Sequence, residues 1–194
     1  MRHKLKLLHV DSAITGEQSV SRKLSAEIVK HLKAAAPDLE VTYRDLVAAP
    51  FGHLTLVDMP APGESTAVLD EFLASDVVVI GAPLYNFTVS SQLKAWIDRI
   101  LIAGKTFRYG EAGPVGLAGD KRVIVALSRG GLYSEGAPMR GHEHAETYLK
   151  TVLGFIGITP EFVIAERLLL GNEQRATAVA QAERSITALF APKR

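Results

Sequence analysis

Short apolar runs of strand length punctuate the chain. Residues 5–10, 77–80 and 122–127 are almost continuously hydrophobic, which is typical of parallel strands that helices cover on both faces. An alternating stretch at 40–46 and an apolar segment at 159–165 complete a set of five predicted strands. The pattern therefore indicates a sheet that is buried on both sides.

Helical periodicity follows the predicted strands. In the segment that begins at Ser19, apolar residues recur every four positions, which places them on one face of a helix. Further helices are predicted at 67–73, at 90–103, from about 143 to 153 and at 173–190. Because parallel strands need crossovers and helices supply them, we expect a doubly wound α/β fold, with a five-stranded parallel sheet in the order 2-1-3-4-5 and helices on both faces.

Composition sets the outer limits of this prediction. The 194 residues, of which 47% are hydrophobic and 22% charged, fit a single domain over 1–194 with a sizeable core. The longest apolar run, 77–85, is far shorter than the roughly 18 residues of a membrane-spanning helix. One stretch without periodicity, 105–120, predicts an excursion between the third helix and the fourth strand.

Charge and cysteine content exclude several classes of partner and chemistry. The 22 basic residues nearly cancel the 21 acidic ones, so the chain has no overall field that would hold nucleic acid or an anionic membrane. The chain contains no cysteine, which excludes disulfides, thiolate nucleophiles and cysteine-ligated metals. This composition fits a reducing compartment, and we expect a cytoplasmic protein.

Ligands of an open parallel sheet bind beyond the carboxyl ends of its strands, near the point where the strand order reverses. The loop after the first predicted strand carries hydroxyl groups and opens a helix, whose first N–H groups have no internal partner. We expect this loop to bind a phosphate without the help of a lysine. The residues assigned to the phosphate site are Ser12, Ser19, Val20 and Ser21. The alternative is that Ser19 serves only as a helix N-cap.

The loop after the third predicted strand is the most informative segment. Pro83 ends the strand, and Leu84, Tyr85, Asn86 and Phe87 follow it. These residues offer ring faces, backbone N–H groups and an amide side chain that both donates and accepts. A flat heterocycle with alternating carbonyls and nitrogens needs that combination, whereas the alternative is a turn with buried aromatic residues.

The loop after the fourth predicted strand contains Ser128, Arg129, Gly130 and Gly131. Paired glycines permit a close approach of the backbone to a ligand, although they are also consistent with a plain turn. Arg129 faces either the ligand or an acidic group. Since three loops converge on one crevice, we expect a single planar, phosphorylated ligand.

Other chemical motifs are weak. Gly104-Lys105-Thr106 ends like a P-loop, but it follows a helix and lacks the leading glycine. His142-Glu143-His144 is interpreted as a solvated helix start, because residues two apart on a helix point to different faces. No metal site and no hydrolase triad are predicted.

Taken together, the motifs at 83–87, 128–131 and 153–158 resemble those of the FMN-dependent NADH-azoreductases, also described as NADH:quinone oxidoreductases. The segments 106–109 and 113–117 lie between them in the family's order, so the resemblance covers nearly the whole chain. It implies a flavodoxin-like fold, a homodimer with one FMN per subunit, and an active site that the neighbouring chain completes. It also implies NADH as the electron donor and a quinone or azo compound as the acceptor.

The resemblance assigns roles to individual residues. The first loop matches the family's phosphate-binding loop, the second and third match its flavin-ring loops, and Phe155 lies in a motif near the substrate side. Electrons would pass from NADH or NADPH to the acceptor in a ping-pong cycle, with N–H groups around Asn86, Phe87 and Gly130 stabilising charge on the reduced ring.

Two segments, 51–64 and 133–144, depart from the family pattern, and we expect them to line the acceptor pocket. Three alternatives to the reductase stay open. They are a flavodoxin-type electron carrier, a general NAD(P)H-dependent FMN reductase, and a flavin-free domain with a role in regulation or assembly.

Overall fold

Strands and helices alternate along the chain in the computed structural model, which describes residues 4–59 and 66–191. The strands are β1 (Lys6–Asp11), β2 (Glu40–Asp45), β3 (Val77–Pro83), β4 (Phe107–Gly110), β5 (Gly113–Gly116), β6 (Arg122–Ser128) and β7 (Glu161–Ala165). The helices are α1 (Val20–Ala35), α2 (Ala67–Leu73), α3 (Ser91–Ile100), α4 (Ala145–Phe155) and α5 (Asn172–Leu189). Five parallel strands form one sheet in the order β2-β1-β3-β6-β7. Counted within that sheet, the order is the predicted 2-1-3-4-5, which is therefore confirmed.

Helices cover both faces of this sheet. Successive strand side chains point to opposite faces, so the neighbours Leu7 and Leu8 belong to two different cores. Leu7 packs with α1 and α5, whereas Leu8 packs with α2, α3 and α4. Burial on both faces explains why the central strands are hydrophobic at nearly every position. Within the described ranges, no helix has both the length and the apolarity that crossing a bilayer would require.

Serine side chains are the N-caps of α1 and α3, and a threonine hydroxyl binds the last residue of α3. Ser19 and Ser90 each accept a hydrogen bond from the N–H three residues later, at the starts of α1 and α3. The Thr106 hydroxyl donates to the carbonyl oxygen of Ile100, the last residue of α3, at 2.7 Å. Helix α3 is accordingly shorter than the predicted 90–103.

The predicted excursion at 105–120 contains an antiparallel hairpin, β4 paired with β5. The hairpin rests on the end of α4, where the Phe107 and Phe155 ring centroids lie 4.6 Å apart. Gly116 is in such close contact with this region that an added Cβ would lie 2.1 Å from the backbone nitrogen of Gly157. Glycine at this position therefore permits the hairpin to pack.

The register of the sheet brings the loops after β1, β3 and β6 to one edge. Asp11, the last residue of β1, pairs with Gly81 of β3, and Pro83 at the end of β3 pairs with Ser128 at the end of β6. The Leu84 N–H then donates to the Ser128 carbonyl oxygen at 2.8 Å. The predicted ligand loops therefore start side by side.

Candidate functional site

A cavity of about 430 Å³ opens where these loops meet, and its volume is within the usual range for small-molecule sites. All three predicted loops contribute to its walls. The predicted residues that line it are Ser19, Val20, Leu84, Tyr85, Ser128, Arg129 and Gly130. The others are Thr15, Gln18, Pro83, Leu168, Leu169 and Arg175. The structure thus brings the three loops to one cavity, while the contacts of each residue with a ligand stay a prediction.

The remaining predicted residues lie behind or beside this cavity. They are Ser12, Ser21, Asn86, Phe87 and Gly131. The fully buried Ser12 donates its hydroxyl hydrogen to the Gly81 carbonyl oxygen at 2.9 Å, so it joins β1 to β3 beneath the site. The Ser21 hydroxyl lies 3.0 Å from that of Ser19 and supports the wall from behind.

The start of α1 forms one end of the cavity. Ser19 is the N-cap, since its hydroxyl oxygen accepts the Arg22 N–H at 3.2 Å. Among the described residues, the N–H groups of Val20 and Ser21 have no acceptor. The helix macrodipole adds positive character at the same place. Capping by Ser19 and anion binding are therefore compatible, because they use different groups.

Arg22 fixes this helix start to the neighbouring strand. Its guanidinium donates to the Ala13 carbonyl oxygen at 3.0 Å and to both carboxylate oxygens of Asp45 at 2.7 Å. The hydrogen bond from Arg22 lowers the pKa of the Asp45 carboxyl to about 2. Arg22 also donates to the Tyr43 hydroxyl. Partial burial of this hydroxyl raises its pKa to about 12. The loop that precedes α1 is thus held by a charged pair.

The loop after β3 is a tight turn with an unusual backbone. Tyr85 and Thr88 exchange both backbone hydrogen bonds, at 2.9 and 3.0 Å, across Asn86 and Phe87. These two residues have φ values of 46° and 71°, the left-handed region that this type of turn requires. Asn tolerates that region, whereas a phenylalanine there is strained by about 1 kcal/mol or more. Among the described residues, neither N–H has an acceptor, so the turn presents two adjacent donors.

Arg129 faces acidic groups, which decides between the two alternatives for its side chain. The guanidinium is 1% exposed and is hydrogen-bonded to Glu146 through Nη2, which also lies 3.4 Å from Glu143. Nη1 lies 3.7 Å from Glu166. Burial alone would raise the pKa of Glu146, but hydrogen bonds from Lys150 and Arg129 lower it overall. A buried ion cluster therefore supports the loop after β6.

The interpretation of 142–144 as a solvated helix start is confirmed for His142 and His144, which are exposed, and is wrong for Glu143, which is part of that cluster. The residue is 2% exposed, and its carboxylate accepts three N–H groups at the start of α4. Its neighbours contact the turn after β3. The His142 ring lies 5.7 Å from that of Phe87, and the His144 N–H donates to the Phe87 carbonyl oxygen at 2.9 Å.

The other segment that departs from the family pattern, 51–64, lies away from the cavity where it is described. Residues 60–64 are outside the described residues. The Phe51 ring packs against the guanidinium groups of Arg44 and Arg99, at 5.4 and 5.0 Å from the ring centroid. No residue of 51–59 lines the cavity. Its place at the acceptor pocket stays a prediction.

Phe155 is also separate from this cavity. Its ring packs on Phe107 of the hairpin, whose outer side chains Tyr109, Val115 and Leu117 are exposed. Tyr109 is 74% exposed. Within one subunit, therefore, Phe155 does not reach the walls of the site.

Sequence reasoning missed the loop after β7, which forms a further wall. The N–H groups of Arg167, Leu168 and Leu169 donate to the carbonyl oxygens of the three residues that follow Ser128, at 2.8 to 3.2 Å. Leu169 covers Gly130 so closely that a Cβ there would lie 2.7 Å from its Cδ1. The signal that could have found this loop is its position, because it follows a parallel strand at the same edge of the sheet.

Comparison with known proteins identifies the family. The family model described as a flavodoxin-like fold matches residues 5–190. An FMN-dependent NADH:quinone oxidoreductase 2 from Bradyrhizobium diazoefficiens is 56% identical in an alignment 201 positions long. The alignment covers 96% of this chain and 100% of that protein. The chain belongs to the FMN-dependent NADH:quinone oxidoreductase family.

Two further relatives agree with this assignment. The FMN-dependent NADH:quinone oxidoreductase of Methylorubrum populi is 57% identical in an alignment 202 positions long, which covers 96% of this chain and 100% of the relative. The crystal structure of an azoreductase from Bacillus anthracis matches with a TM-score of 0.84 at 30% identity, over 96% of this chain and 98% of that one. The predicted family and the flavodoxin-like fold are confirmed.

Proposed function

We propose that this chain is an FMN-dependent oxidoreductase that transfers two electrons from NADH to quinones and reductively cleaves azo compounds. The observation that carries the proposal is the cavity of this family member. Its lining includes the start of α1, where two N–H groups are unpaired, and Leu84 and Tyr85, which lead into the turn after β3. The names of its relatives supply the donor and the two acceptor classes.

The donor chemistry of the site fits FMN. The unpaired N–H groups of Val20 and Ser21, beside the Ser19 hydroxyl, suit a phosphate. At the other end, the unpaired N–H groups of Asn86 and Phe87 suit the carbonyl oxygens and ring nitrogens of a planar heterocycle. We therefore propose that the phosphate lies at α1 and the ring system lies by the turn after β3.

When bound, FMN accepts hydride from the nicotinamide and passes electrons to the acceptor. The protein binds, orients and polarises it. Leu84, Tyr85 and Leu168 give the walls apolar surface, while the N–H groups of the turn would stabilise negative charge on the ring. The cavity-lining residues that the structure describes include no carboxylate and no histidine, and we propose that water supplies the protons.

We extend the proposal to a homodimer in which the second subunit completes the acceptor site. The exposed side chains of Tyr109, Val115 and Leu117 support it, because they give the hairpin an apolar outer surface. Phe155 packs on Phe107 of this hairpin, and its role near the substrate side stays a prediction. The single FMN-binding domain, the cytoplasmic location and the placement of 133–144 at the acceptor pocket stay predictions.

Steady-state kinetics of the FMN-loaded protein test the proposal. Oxidation of NADH or NADPH is measured against a quinone and against an azo dye, with no partner protein present. We expect turnover with the parallel double-reciprocal lines of a ping-pong cycle. No oxidation of either nucleotide would overturn the reductase. Turnover that needs a protein partner would favour a flavodoxin-type carrier, and turnover that saturates with added free FMN as the acceptor would favour a general FMN reductase.

A further inference from the structure

Arg175 connects the start of α5 to the phosphate end of the cavity. It lines the cavity together with Gln18 and Ser19, although 157 positions separate it from Gln18 in the sequence. Its Nη2 donates to the Gln18 carbonyl oxygen at 3.3 Å, one residue before the N-cap of α1. The packing of α5 against α1 therefore places a guanidinium at the mouth of the predicted phosphate site.

The charge of this arginine is not used within the described part of the chain. Arg22 is paired with Asp45 and Arg129 with three carboxylates, but Arg175 has no acidic partner among the described residues. A guanidinium has five N–H donors, and the structure gives Arg175 one acceptor for its side chain. The half-buried side chain thus keeps donors and a full positive charge next to two unpaired N–H groups of α1.

We propose that Arg175 binds the phosphate of the cofactor, as a cationic contact that this chain adds to the helix N-terminus. The proposal rests on the function proposed above, since it takes the ligand to be FMN. A planar guanidinium can grip two phosphate oxygens at once, and such charge-assisted bonds are stronger than neutral ones. The expected site at the helix start, which needs no lysine, would thereby include an arginine.

A second role for Arg175 has to be separated from this one, because its bond to Gln18 also ties α5 to the turn before α1. A purely structural tie would support the whole cavity, and its loss would weaken every flavin alike. A phosphate contact would act only on flavins that carry a phosphate. Riboflavin, which has the same ring system and no phosphate, distinguishes the two.

The experiment is a titration of the full chain, freed of flavin, with FMN and separately with riboflavin. Dissociation constants are measured by quenching of flavin fluorescence for the wild type, Arg175→Gln and Arg175→Lys. The matched control is Arg184→Ala, which removes an exposed arginine from the same helix whose side chain donates to Gln181. Gln keeps N–H donors without the charge, and Lys keeps the charge without the planar fork.

We expect Arg175→Gln to weaken FMN binding by about 10-fold or more and to leave riboflavin binding unchanged. Arg175→Lys should lose less FMN affinity, and Arg184→Ala should behave as the wild type. FMN binding by the wild type should also weaken more steeply with added salt than binding by Arg175→Gln.

Equal losses for FMN and riboflavin, or no loss for either, would overturn the role of Arg175 while leaving the FMN enzyme intact. A wild-type chain that binds neither flavin would overturn the proposed function as well. The two failures are therefore distinguishable in one set of titrations.

Discussion

The two ends of the cavity are built in different ways. We call them the phosphate end and the ring end, after the proposed positions of the two parts of FMN. The phosphate end comes mainly from one continuous segment, residues 12–21, and offers groups that any helix start leaves unpaired. The ring end is assembled from the loops after β3, β6 and β7, and three non-glycine residues there, Asn86, Phe87 and Arg167, have positive φ. A helix start thus offers unpaired donors through local structure alone, whereas the loops at the ring end are strained and distant contacts keep them in place.

The supporting charges differ in the same way. Arg22 at the phosphate end and its partner Asp45 are partly exposed, with 14% and 24% of their side-chain surface accessible. Arg129 at the ring end is 1% exposed and faces three carboxylates. Breaking a buried cluster leaves charges buried without a partner, so it lowers the free energy of unfolding more than breaking a partly solvated pair does.

Removing Arg129 should have the largest effect. We expect Arg129→Ala to lower the free energy of unfolding by about 3–5 kcal/mol, because three carboxylates lose their shared cation. Arg122→Ala is the matched control, since Arg122 begins β6, the strand that Arg129 follows, and pairs with Glu161 at 2.7 Å near the surface. That exposed pair should contribute about 1 kcal/mol or less. Urea unfolding at neutral pH measures both, and equal losses would contradict the claim that the buried cluster contributes more stability than a partly exposed pair.

Neutralising Asp45 tests the phosphate end. Its pKa is about 2 in the folded chain against an ordinary 3.8, so Asp45→Asn should cost about 2 kcal/mol at pH 7. A lowered pKa contributes stability above the ordinary pKa, and that contribution is lost as the pH falls through the folded value. The gap between wild type and variant should therefore close as the pH falls from about 4 to about 2.

Urea unfolding across that pH range provides the measurement for Asp45. Asp98→Asn, which breaks the exposed Lys94–Asp98 pair, is the control, with an expected loss below about 1 kcal/mol. A gap for Asp45→Asn that stays constant down to the lowest pH would show that the Arg22 pair is not its cause.

The turn after β3 gives the smallest and most specific effect. Asn86→Ala and Asn86→Gly both remove the amide, so both should weaken FMN binding by about 10-fold if the amide contacts the ring. Only the alanine should also lose about 1 kcal/mol of stability, because glycine adopts positive φ freely. Flavin titration and urea unfolding measure the two effects, with far-UV circular dichroism as the check on folding. Unchanged FMN affinity in both variants would remove Asn86 from the site.

Much of the fold could be predicted because its causes are local. Strands buried on both faces have to be hydrophobic at nearly every position, as 77–80 and 122–127 are. Parallel pairing then decides which loops share an edge. The hairpin β4–β5 was foreseen only as an excursion, since its glycines mark a break in periodicity and do not specify the pairing of Phe107 with Gly116.

The scaffolding of the site could not be predicted in the same way. The sequence could not decide whether Arg129 faces the ligand or an acidic group. Its acidic partners lie 14, 17 and 37 positions further along the chain, on elements that only the tertiary fold brings together. Glu143 was expected in solvent because an acidic residue at a helix start usually is exposed, and the guanidinium of Arg129 is the reason for its burial. The positive φ of Phe87 has no sequence signal, since phenylalanine rarely adopts it.

Electron transfer through bound FMN is the central claim, and its two half-reactions can be observed directly. The FMN-loaded chain is mixed with NADH in the absence of oxygen, and then with a quinone after the nucleotide has been removed. We expect the visible absorbance of the bound flavin to disappear in the first step and to return in the second, with no other protein present. Absorbance that neither NADH nor NADPH can abolish would contradict it.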